Sequence, residues 1–383
     1  MKETPSGVAT RMVQISRVEA CTVRVPLASP VSFSTRKVDA RHYTLVRVET
    51  SDGTVGYGVC HGGTRHGGLA TRAVRELFRP LLLGRDPYCT EAIWHDLFQD
   101  SLLNGRAGAV MRALSAVDIA LWDGNARRAG VPLWRYLGSF RTRTVPAYAS
   151  GGYYREGGPD EVRREVEGHM AAGFRAVKLK IGGATPSQDA ARVAAARQLL
   201  GPDGLILLDA NNAWKDFASA MRAIRPLIEL DPYLIEEPFA PEDYENHRRL
   251  AEAIPVAIAS GEIAAGRFAH RDLVERARVS VLQPDVAVCG GVTEWRRIAG
   301  MAASASVPVM SHSFHDLHVH LIASVPNGAF VEFFPDDSIL PFRRLLDRQL
   351  TVEDGALVLP EGPGLGFGFD PEALKAYTVE PWA

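Results

Sequence analysis

The sequence predicts an α/β fold: a parallel (β/α)8 barrel, or a slight variant of it, preceded by an α+β block. Three observations carry that expectation. Short apolar strands recur at residues 145–150, 176–181, 205–210, 233–236, 256–260, 279–283, 307–311 and 329–333. Stretches rich in Ala, Arg, Glu and Leu fill most of the intervals, the alternation of a parallel sheet crossed by helices. No GxGxxG follows the first of these strands, which makes a doubly wound open sheet the weaker architecture.

With 383 residues the chain has room for about two domains, or for one large barrel with additions. Its 46% apolar and 23% charged residues are those of an ordinary globular protein. A net charge of −2 gives no general attraction to nucleic acid or to an anionic membrane. No run of apolar residues is long enough for a membrane span, and the first dozen residues lack the apolar core of a signal peptide. Cys21, Cys60, Cys89 and Cys289 stand far apart with no paired spacing. They fit reduced thiols of a cytoplasmic protein better than a disulfide framework or a zinc site.

The opening third, residues 1–143, reads as α+β. Residues 13–26 and 41–50 alternate like strands, with a polar loop at 27–40 between them, and SDGTVGYG (51–58) supplies an Asp-Gly hairpin turn. The glycine-rich stretch CHGGTRHGG (60–68) carries His61, Arg65 and His66. It lacks the lysine and the strand–loop–helix setting of a phosphate loop and reads as a mobile surface loop. Helices are expected at 68–83, 89–103 and 106–128, the last stopped by Gly130 and Pro132. The barrel is then expected over 144–349. A turn-rich tail, 350–383, is expected to pack back on the opening block.

The chemistry sits at the strand ends, where a parallel barrel builds its active site. In AVKLKIG (176–182), Val177, Leu179 and Ile181 alternate with Lys178 and Lys180, so both ammonium groups share one face. The next strands end in Asp209 and Asn211, in Glu236 and Glu237, in Glu262, in Asp285 and in His312, and the last carries Glu332. From Lys180 onward the principal positions are 20 to 29 residues apart, close to one βα unit each time. Singly, Asp209 or Asn211 could cap a helix, and His312 could be a bonded core histidine. Together, Asp209, Glu236 and Glu262 on adjacent strands repel one another unless a cation sits among them. Oxygen ligands of that kind suit Mg²⁺ or Mn²⁺, whereas zinc would usually bring His or Cys.

The KxK at Lys178 and Lys180, the carboxylates Asp209, Glu236 and Glu262, the Asp285/His312 pair and Glu332 together resemble the enolase superfamily, in its mandelate racemase subgroup. The stretches ALSAVDIALWD (113–123) and GGVTEWRRIA (290–299) are also similar to those of the family. The resemblance spans the chain and implies a modified (β/α)7β barrel under an α+β cap completed by the tail. It implies removal of the proton α to a carboxylate through an enediolate, with Asp209, Glu236 and Glu262 on the metal. Lys180 is implied as the base on one face, with Lys178 beside the substrate carboxylate and helping to keep Lys180 neutral. His312, oriented by Asp285, is implied on the other face. Glu332 is implied to bind the substrate carboxylate, which would require it to hold or share a proton. Asn211 and Glu237 read as support for the metal ligands.

Family members with both KxK and the His/Asp pair are mostly acid-sugar dehydratases, so the resemblance favours dehydration to a 2-keto-3-deoxy acid. A racemase or epimerase of a 2-hydroxy acid would use the same groups. A metal-dependent hydrolase is disfavoured by the histidine-poor ligand set, and a non-catalytic sugar-acid binder by the intact base set. Specificity is expected from 27–40 and 60–68, whose Arg36, Arg65 and His66 make a polar, partly cationic set suited to hydroxyls or a distal carboxylate. His315, His318 and His320 fall on an expected helix, where i and i+2 point apart, and read as structural. The partner is expected to be a small hydroxy acid or acid sugar. A homo-oligomer, dimer or octamer, is implied by the family alone.

Overall fold

The computed structural model describes residues 12–63 and 67–383. The chain opens with an antiparallel meander: β1 (Ile15–Phe33), β2 (Arg36–Thr50) and β3 (Val55–Gly63). Three helical stretches follow. The first runs from α1 (Gly68–Arg72) through a π-helical segment, Ala73–Phe78, into α2 (Arg79–Leu82), and the wide turn lies directly before Pro80, which has no N–H to give. Then come α3 (Thr90–Asp100) and the long α4 (Gly108–Arg128). Helix α4 lies against β3 so closely that a Cβ on Gly58 would stand 1.9 Å from the Ala116 carbonyl oxygen.

Two expectations change here. Residues 27–40 do not form a loop: β1 and β2 run through them and turn only at Ser34 and Thr35. The physical reason is a second small core, in which Leu27, Val31 and Val38 pack with Tyr153, Phe334, Ile339 and Leu340. Likewise Cys60–Gly63 of the supposed loop belong to β3, and Cys60 is fully buried. Arg65 and His66 lie outside the described residues.

The barrel consists of β4 (Thr144–Ser150), β5 (Ala176–Lys180), β6 (Leu205–Asp209), β7 (Leu234–Glu236), β8 (Ala257–Ser260), β9 (Val281–Leu282) and β10 (Val331–Phe333). Each strand from β4 to β9 pairs in parallel with the next, and β10 pairs with β4. The expected strand at 307–311 is reduced to Val309, which bridges Leu282 and Gly328 and so completes the ring. Tyr148, Ala176, Leu207, Leu234, Ala259, Val281 and Met310 form one apolar cluster. Two residues further along three of the same strands stand Lys178, Asp209 and Glu236, so an apolar floor underlies a charged rim on one face.

The tail does two things. A hairpin of β11 (Val352–Glu353) and β12 (Ala356–Val358) adds to the start of β4, on the barrel. Then β13 (Thr378–Glu380) pairs with β1, making the cap sheet β13-β1-β2-β3. Among the described residues no helix is long and apolar enough to cross a membrane.

Cap and barrel are bolted through α4. Ser115, Asp118 and Trp122, on one face of that helix, meet the turn at Gly290–Thr293. Asp118 accepts from the Thr293 hydroxyl at 2.6 Å and from its backbone N–H at 2.9 Å, and Trp122 Nε1 donates to Thr293 Oγ1 at 2.8 Å. Gly291 has φ +82°, and a Cβ there would lie 2.5 Å from Asp118 Oδ2. Replacing Asp118 with Ala orphans the buried Thr293 N–H. It should lower stability by about 1–3 kcal/mol, read as a lower urea midpoint.

Candidate active site

The register of β5, β6 and β7 sets Lys180 beside Asp209 and Asp209 beside Glu236. All of them, with Lys178, are buried. Lys180 Nζ donates to Asp209 Oδ2 at 2.5 Å. Lys178 Nζ lies 2.6 Å from Glu236 Oε1, 2.8 Å from Glu332 Oε1 and 3.2 Å from Asp209 Oδ2. Asp209, Glu236 and Glu262 each place a carboxylate oxygen within 4.8 Å of the others. Asn211 N–H holds Asp209 Oδ1 at 2.8 Å, and Gln283 Nε2 holds Glu236 Oε2 at 2.8 Å.

The fit to a divalent ion rests on this geometry and on unmet bonding capacity. Glu262 Oε2, Glu237 Oε1, Asn211 Oδ1 and Gln283 Oε1 are buried without a hydrogen-bond partner among the described residues, all in or beside the triad or its supports. Burial and the neighbouring Asp209 push Glu236 well above the usual carboxylate range. Burial, Glu262 and Asp209 do the same to Glu237. An all-oxygen set with unmet acceptor capacity suits a hard dication.

Lys178 does not leave Lys180 neutral in this arrangement. Burial is the largest single influence and pulls Lys180 down, but Asp209, Tyr153 and Glu236 together outweigh it and carry the ammonium above the ordinary lysine range. Lys178 is raised likewise by Glu236, Glu332 and Asp209 against its burial. Glu332 also departs from expectation. Burial pushes it up, yet Lys178, His312 and Lys180 bring its carboxyl to about 2. It is therefore an acceptor, taking bonds from Ser150 Oγ at 2.7 Å and Ser313 N–H at 2.7 Å.

Across the rim, His312 Nδ1 lies 2.8 Å from Asp285 Oδ2. Its Nε2 faces Ser313 Oγ at 3.1 Å and Glu262 Oε1 at 3.5 Å. Burial lowers the imidazole, but Glu262 and Asp285 together raise it to about 9. Asn211, Asn212, Glu237, Ser313 and Phe314 all have positive φ, so the backbone bends into left-handed turns just past the strands that carry the charged groups.

These groups open into one cavity of about 310 Å³. Its walls include Lys178, Lys180, Glu262, His312 and Glu332 from the barrel and Phe33, Arg36, Arg41, His61 and Arg112 from the cap. Lys180 Nζ stands 5.7 Å and 5.2 Å from the Phe33 and Tyr153 ring centroids. Arg36 is exposed at the mouth. Gln283, Ser150, Tyr153, Arg41 and Arg112 were not anticipated. Gln283 stands two residues before Asp285 and strand alternation could have flagged it, whereas Arg112 lies on a helix of the opening block and carries no local signal. His318 and His320 are spent on backbone: Val286 N–H donates to His318 Nε2 at 3.0 Å, and Trp134 N–H donates to His320 Nδ1 at 3.1 Å.

Residues 161–373 match the enolase C-terminal domain-like family, and residues 15–138 match the N-terminal domain of the mandelate racemase/muconate lactonizing enzyme family. The chain belongs to the enolase superfamily. Within it, the 3,6-anhydro-alpha-L-galactonate cycloisomerase of Streptomyces coelicolor is 35% identical over 371 residues, covering 95% of this chain and 99% of that protein. The L-talarate/galactarate dehydratase of Salmonella typhimurium is 31% identical over 369 residues, covering 94% and 90%. A crystal structure of that dehydratase with Mg and L-lyxarohydroxamate superposes with TM-score 0.90 at 28% identity, covering 100% of this chain and 97% of that one. A racemase from Streptomyces coelicolor with bound magnesium gives 0.89 at 33% identity, covering 95% and 100%.

In this superfamily member, a divalent ion held by Asp209, Glu236 and Glu262 would compete with Lys180 for Asp209. Losing that partner lowers the lysine pKa, so binding should release a proton and tighten as pH rises from about 7 to about 9. Calorimetry of Mg²⁺ binding in buffers of different ionisation enthalpy reads both effects. A pH-independent affinity with no proton release would contradict the competition.

Proposed function

We propose that the chain is a Mg²⁺-dependent hydro-lyase that removes water from an acid sugar to give a 2-keto-3-deoxy acid. The observation that carries this reading is the sharing of one cavity by Lys180 and the Asp285-bonded His312, on well-separated strands, with the carboxylate triad on the same rim. Mg²⁺ held by Asp209, Glu236 and Glu262 would supply Lewis-acid stabilisation of the charge developing on the substrate carboxylate.

The chain's own residues move the protons. Lys180, as the free amine, takes the proton from C2 of the substrate, and the C–H electron pair passes into the carboxylate as an enediolate. Lys178 faces that carboxylate with a positive charge, held in place by the ionised Glu332. As the electron pair returns, the C3 hydroxyl leaves and takes the proton of the His312 imidazolium, departing as water. Asp285 steadies the imidazolium through Nδ1. The enol so formed tautomerises to the 2-keto acid. Phe33 and Tyr153 wall Lys180 from bulk water.

A second reading uses the same pair: His312 returns a proton to C2 on the other face, and the enzyme is a racemase or epimerase. The activities of the relatives, dehydratase, cycloisomerase and racemase, support the shared first step rather than one outcome. Incubation with Mg²⁺ and an acid-sugar panel in D₂O, followed by NMR, separates them. Formation of a keto acid is the expected result, and deuterium at C2 with inversion would favour the second reading. Lys180→Ala should lose at least about 10³-fold in kcat, the scale of a removed general base, while Mg²⁺ binds as well or more tightly. Retained turnover in that variant would overturn the assignment of the base.

A further inference from the structure

The charges lining the cavity are segregated. Its acidic walls, Glu237, Glu262 and Glu332, all stand on the barrel, beside Lys178 and Lys180. Among the described residues the cap adds no carboxylate to the lining. It adds Arg36 and Arg41 from β2, Arg112 from α4 and the His61 imidazole from β3.

None of these three arginines has a carboxylate partner among the described residues. Elsewhere arginines that reach a buried carboxylate are matched, as Arg127 is with Asp123 and Arg267 with Glu294. Arg112 gives NH1 to the His61 carbonyl at 3.2 Å, and its Nε is buried with no hydrogen-bond partner among the described residues. Among the described residues Arg41 makes only a long hydrogen bond, 3.4 Å, from Nε to the Ile339 carbonyl. Guanidinium groups gathered at one end of a partly enclosed cavity repel each other and lose water. A carboxylate, accepting two parallel N–H bonds from such a fork, removes both costs.

We infer that the cap end of the cavity is a second carboxylate site, built on Arg112 and Arg41, and that the substrate is a dicarboxylic acid sugar spanning it and Lys178. This rests on the acid-sugar reading above and narrows it. Beside the arginines stands His61, its ring centroid 4.3 Å from that of Phe314 and 6.3 Å from that of His312. Burial, the largest influence, pulls His61 well below the usual histidine range, and neither ring nitrogen is hydrogen-bonded among the described residues. A neutral imidazole offers one donor and one acceptor, which suits a chain hydroxyl.

The test compares kcat/KM for matched sugar diacids, monoacids and 6-phosphorylated monoacids with Mg²⁺, in the wild type, Arg112→Met, Arg112→Lys and Arg41→Met. Wild type should prefer the diacid of a matched pair by about 10²-fold or more, because buried guanidinium groups left unpaired reject the monoacid. The diacid-to-monoacid ratio should fall by about 30-fold in Arg112→Met and recover in part in Arg112→Lys, which keeps the charge but not the fork. Arg41→Met reads the same ratio if Arg112→Met fails to fold. Equal or better use of monoacids or phosphorylated monoacids, or ratios unchanged in both Met variants, overturns the inference while leaving the acid-sugar reading standing. If no compound turns over or exchanges its C2 proton in D₂O, the acid-sugar reading fails and the second site falls with it.

Discussion

The contact on which the site depends is the one between Lys180 and Asp209, side by side on adjacent parallel strands at the barrel mouth. Burying an ion costs several kcal/mol unless charge and hydrogen bonds return it. Here Lys178 meets three carboxylates, Lys180 meets one, and Gln283, Ser150 and the N–H groups of Asn211 and Ser313 complete the set. The balance is provisional, because the carboxylate that holds Lys180 as a cation also belongs to the triad that could hold a metal ion. Under the proposed function, one oxygen cluster would couple the charge of the base to the binding of the ion.

The cap is tied to that same strand end. Ser34 Oγ donates to the Ala210 carbonyl at 2.5 Å and Thr35 Oγ1 to the Asn211 carbonyl at 3.2 Å, immediately after Asp209. The β1–β2 hairpin that makes these bonds also brings Phe33 to Lys180. On the far side, α4 fixes the cap through Asp118 and Thr293 and carries Arg112 near its start into the cavity. The barrel therefore supplies the lysines, the carboxylates and His312, and the cap adds walls and the arginines to the same cavity.

Much of this was legible in the sequence, because a strand period of two and a βα spacing are local signals. Lys178, Lys180, Asp209, Glu236, Glu262, Asp285, His312 and Glu332 could be placed on one rim from those alone. What could not be read was the charge state of Lys180 and Glu332, which depends on ångström distances between residues far apart in the chain. The hairpin over 27–40 was also hidden. Its apolar positions, Leu27, Val31 and Val38, are sparse, and they bury only because Tyr153, Phe334 and Leu340 come to meet them. Arg112 shows the limit most plainly, since nothing around it in the sequence distinguishes a cavity wall from a solvated helix face.

In the proposed reaction Lys180 takes the C2 proton while His312 serves only the later step, and His312→Asn separates the two. In D₂O with Mg²⁺ and a reactive acid sugar, that variant should exchange the C2 proton for deuterium, with retention and without forming keto acid. Absence of exchange at C2, with the protein folded and Mg²⁺ bound, would contradict the account.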